Sequence, residues 1–125
     1  MRRLLPLAIV PLLLILPATA MAKPKVCRKA TIRAALQAQN EDVSAGFGDI
    51  RCGDVTHDGH KDAVFTTLSG GTAGATHFGV LTGASATSGD SALVYYDSGY
   101  KLGIDRVNSR RFDVQQPFYK ETDAN

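Results

Sequence analysis

The sequence lacks the features that would mark a membrane protein, a lipoprotein, a nucleic-acid binder or a familiar enzyme. Its one long apolar run, residues 4–16, is interrupted by Pro6 and Pro11 and falls short of the roughly 20 apolar residues that a helix needs to cross a bilayer. No cysteine closely follows that run. Cys27 comes after Lys23-Pro24-Lys25-Val26, which is no lipobox, so a lipid anchor is not expected. There is no G-x-S-x-G nucleophile elbow and no P-loop lysine pattern. The two cysteines do not stand in C-x-x-C spacing, so neither a redox pair nor a zinc knuckle is expected. Internal repeats and linkers are absent as well.

What the N-terminus does have is the three-part pattern of a secretory signal. Met1-Arg2-Arg3 is followed by the apolar run and then by Pro17-Ala18-Thr19-Ala20-Met21-Ala22-Lys23. A basic start, a short apolar stretch and small residues in A-x-A spacing predict cleavage after Ala20 or Ala22. Arg2-Arg3 lacks the polar flank of a twin-arginine signal, so the general secretory route is expected, with a periplasmic or secreted product. The expected organisation is a signal peptide at residues 1–22 and one small domain at residues 23–125. Of the 14 Lys and Arg, Arg2 and Arg3 belong to the leader, which leaves 12 against 12 Asp and Glu. A neutral domain has no field to steer it to nucleic acid or to an anionic membrane, and no stable insertion is expected once the leader is gone.

Cys27 and Cys52 both lie in the mature part. An even count in an oxidising compartment predicts a disulfide between them. Residues 29–40 (KATIRAALQAQN) predict a helix, with Ile32, Ala35 and Leu36 forming an apolar stripe; Pro24 bars an earlier start and Asn40 ends it. From Phe47 onward the pattern turns to strands. Short β-branched or aromatic runs at 63–68, 76–82, 92–97, 101–107 and 111–115 are separated by turn residues at 69–71, 83–89, 97–99 and 108–109. This order predicts an α+β domain, one N-terminal helix packed on a mostly antiparallel β-sheet.

The most informative stretch is residues 53–65, GDVTHDGHKDAVF. Asp54, Thr56, Asp58 and Asp62 occupy positions 1, 3, 5 and 9 of a loop whose sixth residue is Gly59. That is the ligand spacing of a calcium loop, in which the His60 carbonyl at position 7 adds an oxygen and the glycine allows the sharp turn. Three converging carboxylates repel one another, so the expected cofactor is a hard divalent ion, Ca²⁺. Position 12 is Phe65 where an EF-hand needs a bidentate Glu, and the run continues as a strand, so an EF-hand is excluded. Neutral Thr56 and the missing Glu predict weak affinity.

The loop resembles the β-loop-β calcium motif of FG-GAP repeats, where D-x-(D/N/T)-x-D-G-x-x-D ends directly in an apolar strand; Phe47-Gly48 is a further echo. The single copy departs from the propeller that such repeats build. More widely, the stretch from Asp49 to Val80, with C-G-D-V-T-H-D-G-H-K-D-A-V-F-T-T-L-S-G-G-T-A-G, is similar to small secreted bacterial proteins of the LppP/LprE-type envelope lipoprotein family. That resemblance implies a compact helix-plus-sheet domain outside the membrane with no established activity. Its surface anchoring does not carry over, since the lipid-bearing cysteine is missing. Related sequences continue past a segment like residues 119–125 into a Cys-Cys-Pro run, so the resemblance implies that a final strand is missing here.

Other chemistry is thinner. His57 and His60 stand in H-x-x-H spacing suited to a transition metal such as zinc, but in a loop of this length their side chains are expected to point into solvent. The Ser69–Gly74 run reads as a flexible loop. Ser69, His77 and an Asp make a triad only on paper. Tyr95, Tyr96, Tyr100, Phe118 and Tyr119 are candidates for a binding face, although strand aromatics are more often core. Two function classes follow. One is an exported, non-catalytic module that binds a protein or cell-envelope component; the other is a small secreted metal-dependent hydrolase, which needs an open coordination site and a general base.

Overall fold

The computed structural model describes residues 23–83, 92–108 and 111–117. The signal segment, its cleavage site, part of the 83–89 turn, Ser109 and the aromatics Phe118 and Tyr119 lie outside the described residues. A single 3-10 turn at Lys25–Cys27 leads into helix α1, Lys29–Ala38. Six strands follow: β1 Phe47–Gly53, β2 Asp62–Leu68, β3 Ala75–Thr82, β4 Ala92–Ser98, β5 Gly103–Val107 and β6 Phe112–Gln115. The first four form an antiparallel meander in the order β1-β2-β3-β4, while β5 and β6 form a separate two-stranded sheet. The fold is therefore α+β, with the strands divided between two sheets. No helix among the described residues is long and apolar enough to cross a membrane.

Helix α1 forms because its apolar residues recur at helical spacing. Ile32 and Leu36 are fully buried and Ala35 packs against the same cluster, while Arg33, Ala34 and Gln37 face solvent. Burial of a side chain such as Ile32 or Leu36 is worth about 1.5–3 kcal/mol. No side chain caps the first turn. The end is marked by Asn40, whose φ of 61° and N–H bond to the Gln37 carbonyl reverse the chain. Asn is one of the few side chains that tolerate this left-handed conformation.

Strand β2 is the spine, with Asp62 through Thr67 all buried. Both of its faces are covered. Ala63 and Phe65 meet α1 together with Val26, Val43 and Leu81, whereas Val64 joins Val80 and Ile104 beneath the β5–β6 hairpin. Phe65 lies between Phe47, edge-on at 6.2 Å, and Tyr96, stacked at 6.3 Å. Its partner across the ladder is Gly79, where a Cβ would come within 2.6 Å of the Phe65 ring. The ring occupies the space that the glycine leaves.

Strand β1 is the strand expected to enter the Asp loop, but it forms no apolar run of its own because Gly48, Asp49 and Gly53 dilute its alternation. It forms through tertiary bonds. The ladder shifts register between Phe47 and Ile50; there the Asp49 N–H donates to Thr66 Oγ1 at 2.8 Å, and Asp49 Oδ2 accepts the Ile104 N–H at 3.0 Å. The second bond fastens the hairpin to the meander.

Candidate metal centre

Residues 54–61 are the loop of the β1–β2 hairpin, since Gly53 and Asp62 are paired at its mouth. Pairing alone thus brings the first and last acidic residues of the loop together. The middle is drawn back by its own carboxylates. Asp54 accepts the Asp58 N–H on Oδ1 at 3.1 Å and the Gly59 N–H on Oδ2 at 2.9 Å. Asp58 Oδ1 accepts the His60 N–H at 2.8 Å. Two residues take left-handed conformations to allow this, Gly59 at φ 84° and His57 at φ 61°. The glycine does so freely. His57 carries a steric cost there that the sequence did not announce.

Asp62 is fully buried. Its Oδ2 accepts both the N–H and the hydroxyl of Thr56 at 2.9 Å, and its Oδ1 accepts the Gly83 N–H at 3.1 Å. These bonds satisfy the group in place of water, as a buried carboxylate requires. They also fill both lone pairs of Oδ2 and leave one on Oδ1. The Thr56 hydroxyl is a donor to Asp62 and keeps acceptor capacity of its own.

Ligand oxygens of Asp54, Asp58 and Asp62 all lie within 4.8 Å of one another, so the three residues could hold a metal ion. The donor set is oxygen only, which suits a hard cation. The His60 N–H bond is the main reason the Asp58 carboxyl is held below its ordinary pKa, with desolvation opposing it. It therefore stays ionised into more acidic solution than a free aspartate. The side chains of His57 and His60 are exposed.

The disulfide Cys27–Cys52 joins the 3-10 turn to β1, with Cα atoms 6.0 Å apart, inside the usual range for a bridge. It is tied closely to the loop. Cys52 precedes Asp54 by two residues, and the Cys27 Sγ packs 3.5 Å from the Asp62 carbonyl oxygen. A bridged sulfur carries no proton, so this is a packing contact and not a hydrogen bond.

Sequence reasoning brought the five loop residues forward but missed Gly83, which is 21 residues from Asp62 and reaches it only because β2 and β3 are paired. The only signal at Gly83 was its place in a turn. A Cβ there would collide with the Lys61 carbonyl, so the position requires glycine for the close approach. Ser69 and His77 each bond locally, Ser69 Oγ to the Gly71 N–H and His77 Nδ1 to the Thr76 hydroxyl. The ring of His77 stacks on Tyr96 at 5.1 Å. Comparison with family models, with curated proteins and with solved structures found no match for this chain.

Proposed function

We propose that the protein is an exported, non-catalytic envelope or secreted module that binds a protein or cell-wall component. In this reading the loop at residues 54–62 takes one Ca²⁺ as a structural clamp. The observation that carries the reading is the convergence of three carboxylates within 4.8 Å at the point where the central strand begins. Asp54 and Asp58 would supply direct carboxylate oxygens, Thr56 a hydroxyl oxygen and His60 its carbonyl. Asp62, with most of its lone pairs committed, would anchor the site from below. A disulfide is consistent with an oxidising, extracytoplasmic location, as are the leader and the resemblance to envelope proteins.

The hydrogen bonds within the loop give it a defined shape without an ion, so Ca²⁺ should stabilise a folded protein rather than induce folding. With a dissociation constant on the order of 10⁻⁴–10⁻³ M, about 5 mM Ca²⁺ should add roughly 1–2 kcal/mol by mass action. That corresponds to a rise in melting midpoint of about 4–8 °C per kcal/mol. Asp58→Ala should abolish the rise. His57→Asn, which keeps a residue suited to positive φ, should leave it nearly unchanged. Thermal melts in Ca²⁺ against chelator check this, and equal midpoints for the wild type would reject the clamp. A shift with Zn²⁺ alone that is lost in His57→Asn would favour a transition metal and bring back the hydrolase.

A further inference from the structure

Helix α1 covers only part of its face of the sheet. It is ten residues long, about 15 Å, and its apolar stripe meets β2 at Ala63 and Phe65. Thr67 is the next β2 residue on that face, and it pairs across the ladder with His77. Here the lining turns polar. The Thr67 and Tyr96 hydroxyls share one hydrogen bond at 3.1 Å, so one of their two protons is left for another acceptor. The His77 ring stacks on Tyr96, and Tyr96 stacks on the buried Phe65. His77 is therefore the open end of a row of three rings.

Two cavities lie at this end, of about 190 and 370 Å³, and they share Asp42 and Ser44 of the segment that follows α1. Joined, they make a groove within the size range of small-molecule sites, about 300–1,000 Å³. One wall is formed by Thr67, Thr76 and His77. The other is Arg33, Gln37 and Glu41, a row spaced four apart that runs down the solvent side of α1 and past its end. Groups of this second wall are uncommitted. Arg33 lies over the Phe47 ring at 5.8 Å and makes no ion pair with Glu41; among the described residues nothing bonds the Gln37 amide or the Glu41 carboxylate. The two walls are close enough to interact. Burial raises the Tyr96 phenol above its ordinary pKa, and the charges of Glu41 and Asp42 raise it further, against the Thr67 bond.

The chemistry of the lining selects the occupant. An anionic chain is repelled by Glu41 and Asp42, and an apolar side chain would desolvate the polar walls without replacing their bonds to water. A neutral saccharide fits both walls. Its hydroxyls donate and accept, as an amide beside a carboxylate requires, and its C–H face lies flat on a ring. We propose that this groove binds a neutral glycan chain, with Gln37 and Glu41 bonding its hydroxyls and the His77–Tyr96 rings carrying one sugar. The proposal rests on the reading of the protein as a binder of a cell-wall component and names the glycan as the part recognised. Thr67 is near the end of β2 opposite to Asp62 and the metal loop, so binding should not need the ion. A shallow, wet groove implies a dissociation constant on the order of 0.1–1 mM.

Cellotetraose and chitotetraose, β-1,4-linked tetramers without and with acetamido groups, are the probes. Each is titrated into the purified, ¹⁵N-labelled protein in chelator, up to about 10 mM, tenfold above that range. Saturable shifts at the amides of residues 41–46, 67–69 and 76–77 are expected with at least one tetramer, and the better of the two shows whether the acetamido group is read. The double variant Gln37→Ala, Glu41→Ala should keep its melting midpoint and bind at least tenfold more weakly, as the loss of two hydrogen bonds implies. No saturable shift with either tetramer, shifts centred elsewhere, or undiminished binding by the double variant would each overturn the proposal. Co-sedimentation with insoluble cell walls separates it from the reading on which it rests. Equal sedimentation of wild type and double variant would reject the groove and leave a wall-binding module standing, whereas tetramer binding without sedimentation would keep the groove and reject the wall as its target.

Discussion

Replacing Asp62 with alanine is expected to cost about 3–5 kcal/mol, the largest effect of any single substitution in the loop. The side chain is fully buried and accepts three hydrogen bonds. Its removal leaves the N–H groups of Thr56 and Gly83 without their acceptor and opens a void where the loop meets β2. A domain of this length has roughly 5–15 kcal/mol of stability in total, so the variant should be marginal or unfolded at physiological temperature. Asparagine will not rescue it. One end of the carboxylate faces the Gly83 N–H and the other faces the Thr56 N–H, so either orientation of an amide sets its NH₂ against a donor. Urea denaturation without added metal measures the effect, and a loss below about 1 kcal/mol would show that the buried bonds do not hold the loop.

Removal of the disulfide is expected to cost nearly as much. The cysteines are 25 residues apart, and closing a loop of that size restricts the unfolded chain by about 3.5 kcal/mol in the chain-entropy model. The double variant Cys27→Ala, Cys52→Ala is preferable to serine, because Cys27 is fully buried and a hydroxyl there would need a partner. The bridge also holds both arms of the loop, through Cys52 on β1 and through the contact of Cys27 with the Asp62 carbonyl. Its loss should therefore weaken metal binding as well as lower the denaturation midpoint. These two effects and that of Asp62→Ala should not add, since the groups are in contact. Denaturation of the variant within about 1 kcal/mol of the wild type would contradict the assignment.

These expectations rest on features that the sequence revealed unequally. The convergence of Asp54, Asp58 and Asp62 was legible because the spacing is local: positions 54, 58 and 62 carry it with them, and Gly59 marks the turn. The pairing of Cys27 with Cys52 followed from count and compartment. The helix was legible through Ile32 and Leu36, and Asn40 marked its end. Features that depend on distant chain segments were not legible. A strand entering the loop was expected, but not its anchoring, in which Asp49 bonds to Thr66 and Ile104, neither of which is near it in sequence. Separation of β5 and β6 into their own sheet depends on which face of β2 they cover, and no local pattern encodes that. The neighbours Tyr95 and Tyr96 make the point most clearly. Alternation places them on opposite faces, but only the sheet order shows that Tyr96 stacks on Phe65 while Tyr95 is exposed and meets Phe78.

The central claim, that the loop at residues 54–62 binds calcium, is tested most directly by equilibrium dialysis of the purified protein against radioactive Ca²⁺. One ion per chain, with a dissociation constant on the order of 10⁻⁴–10⁻³ M and loss of binding in Asp58→Ala, is the result expected. No saturable binding up to about 10 mM, well above that range, or binding that persists in folded Asp58→Ala, would contradict it.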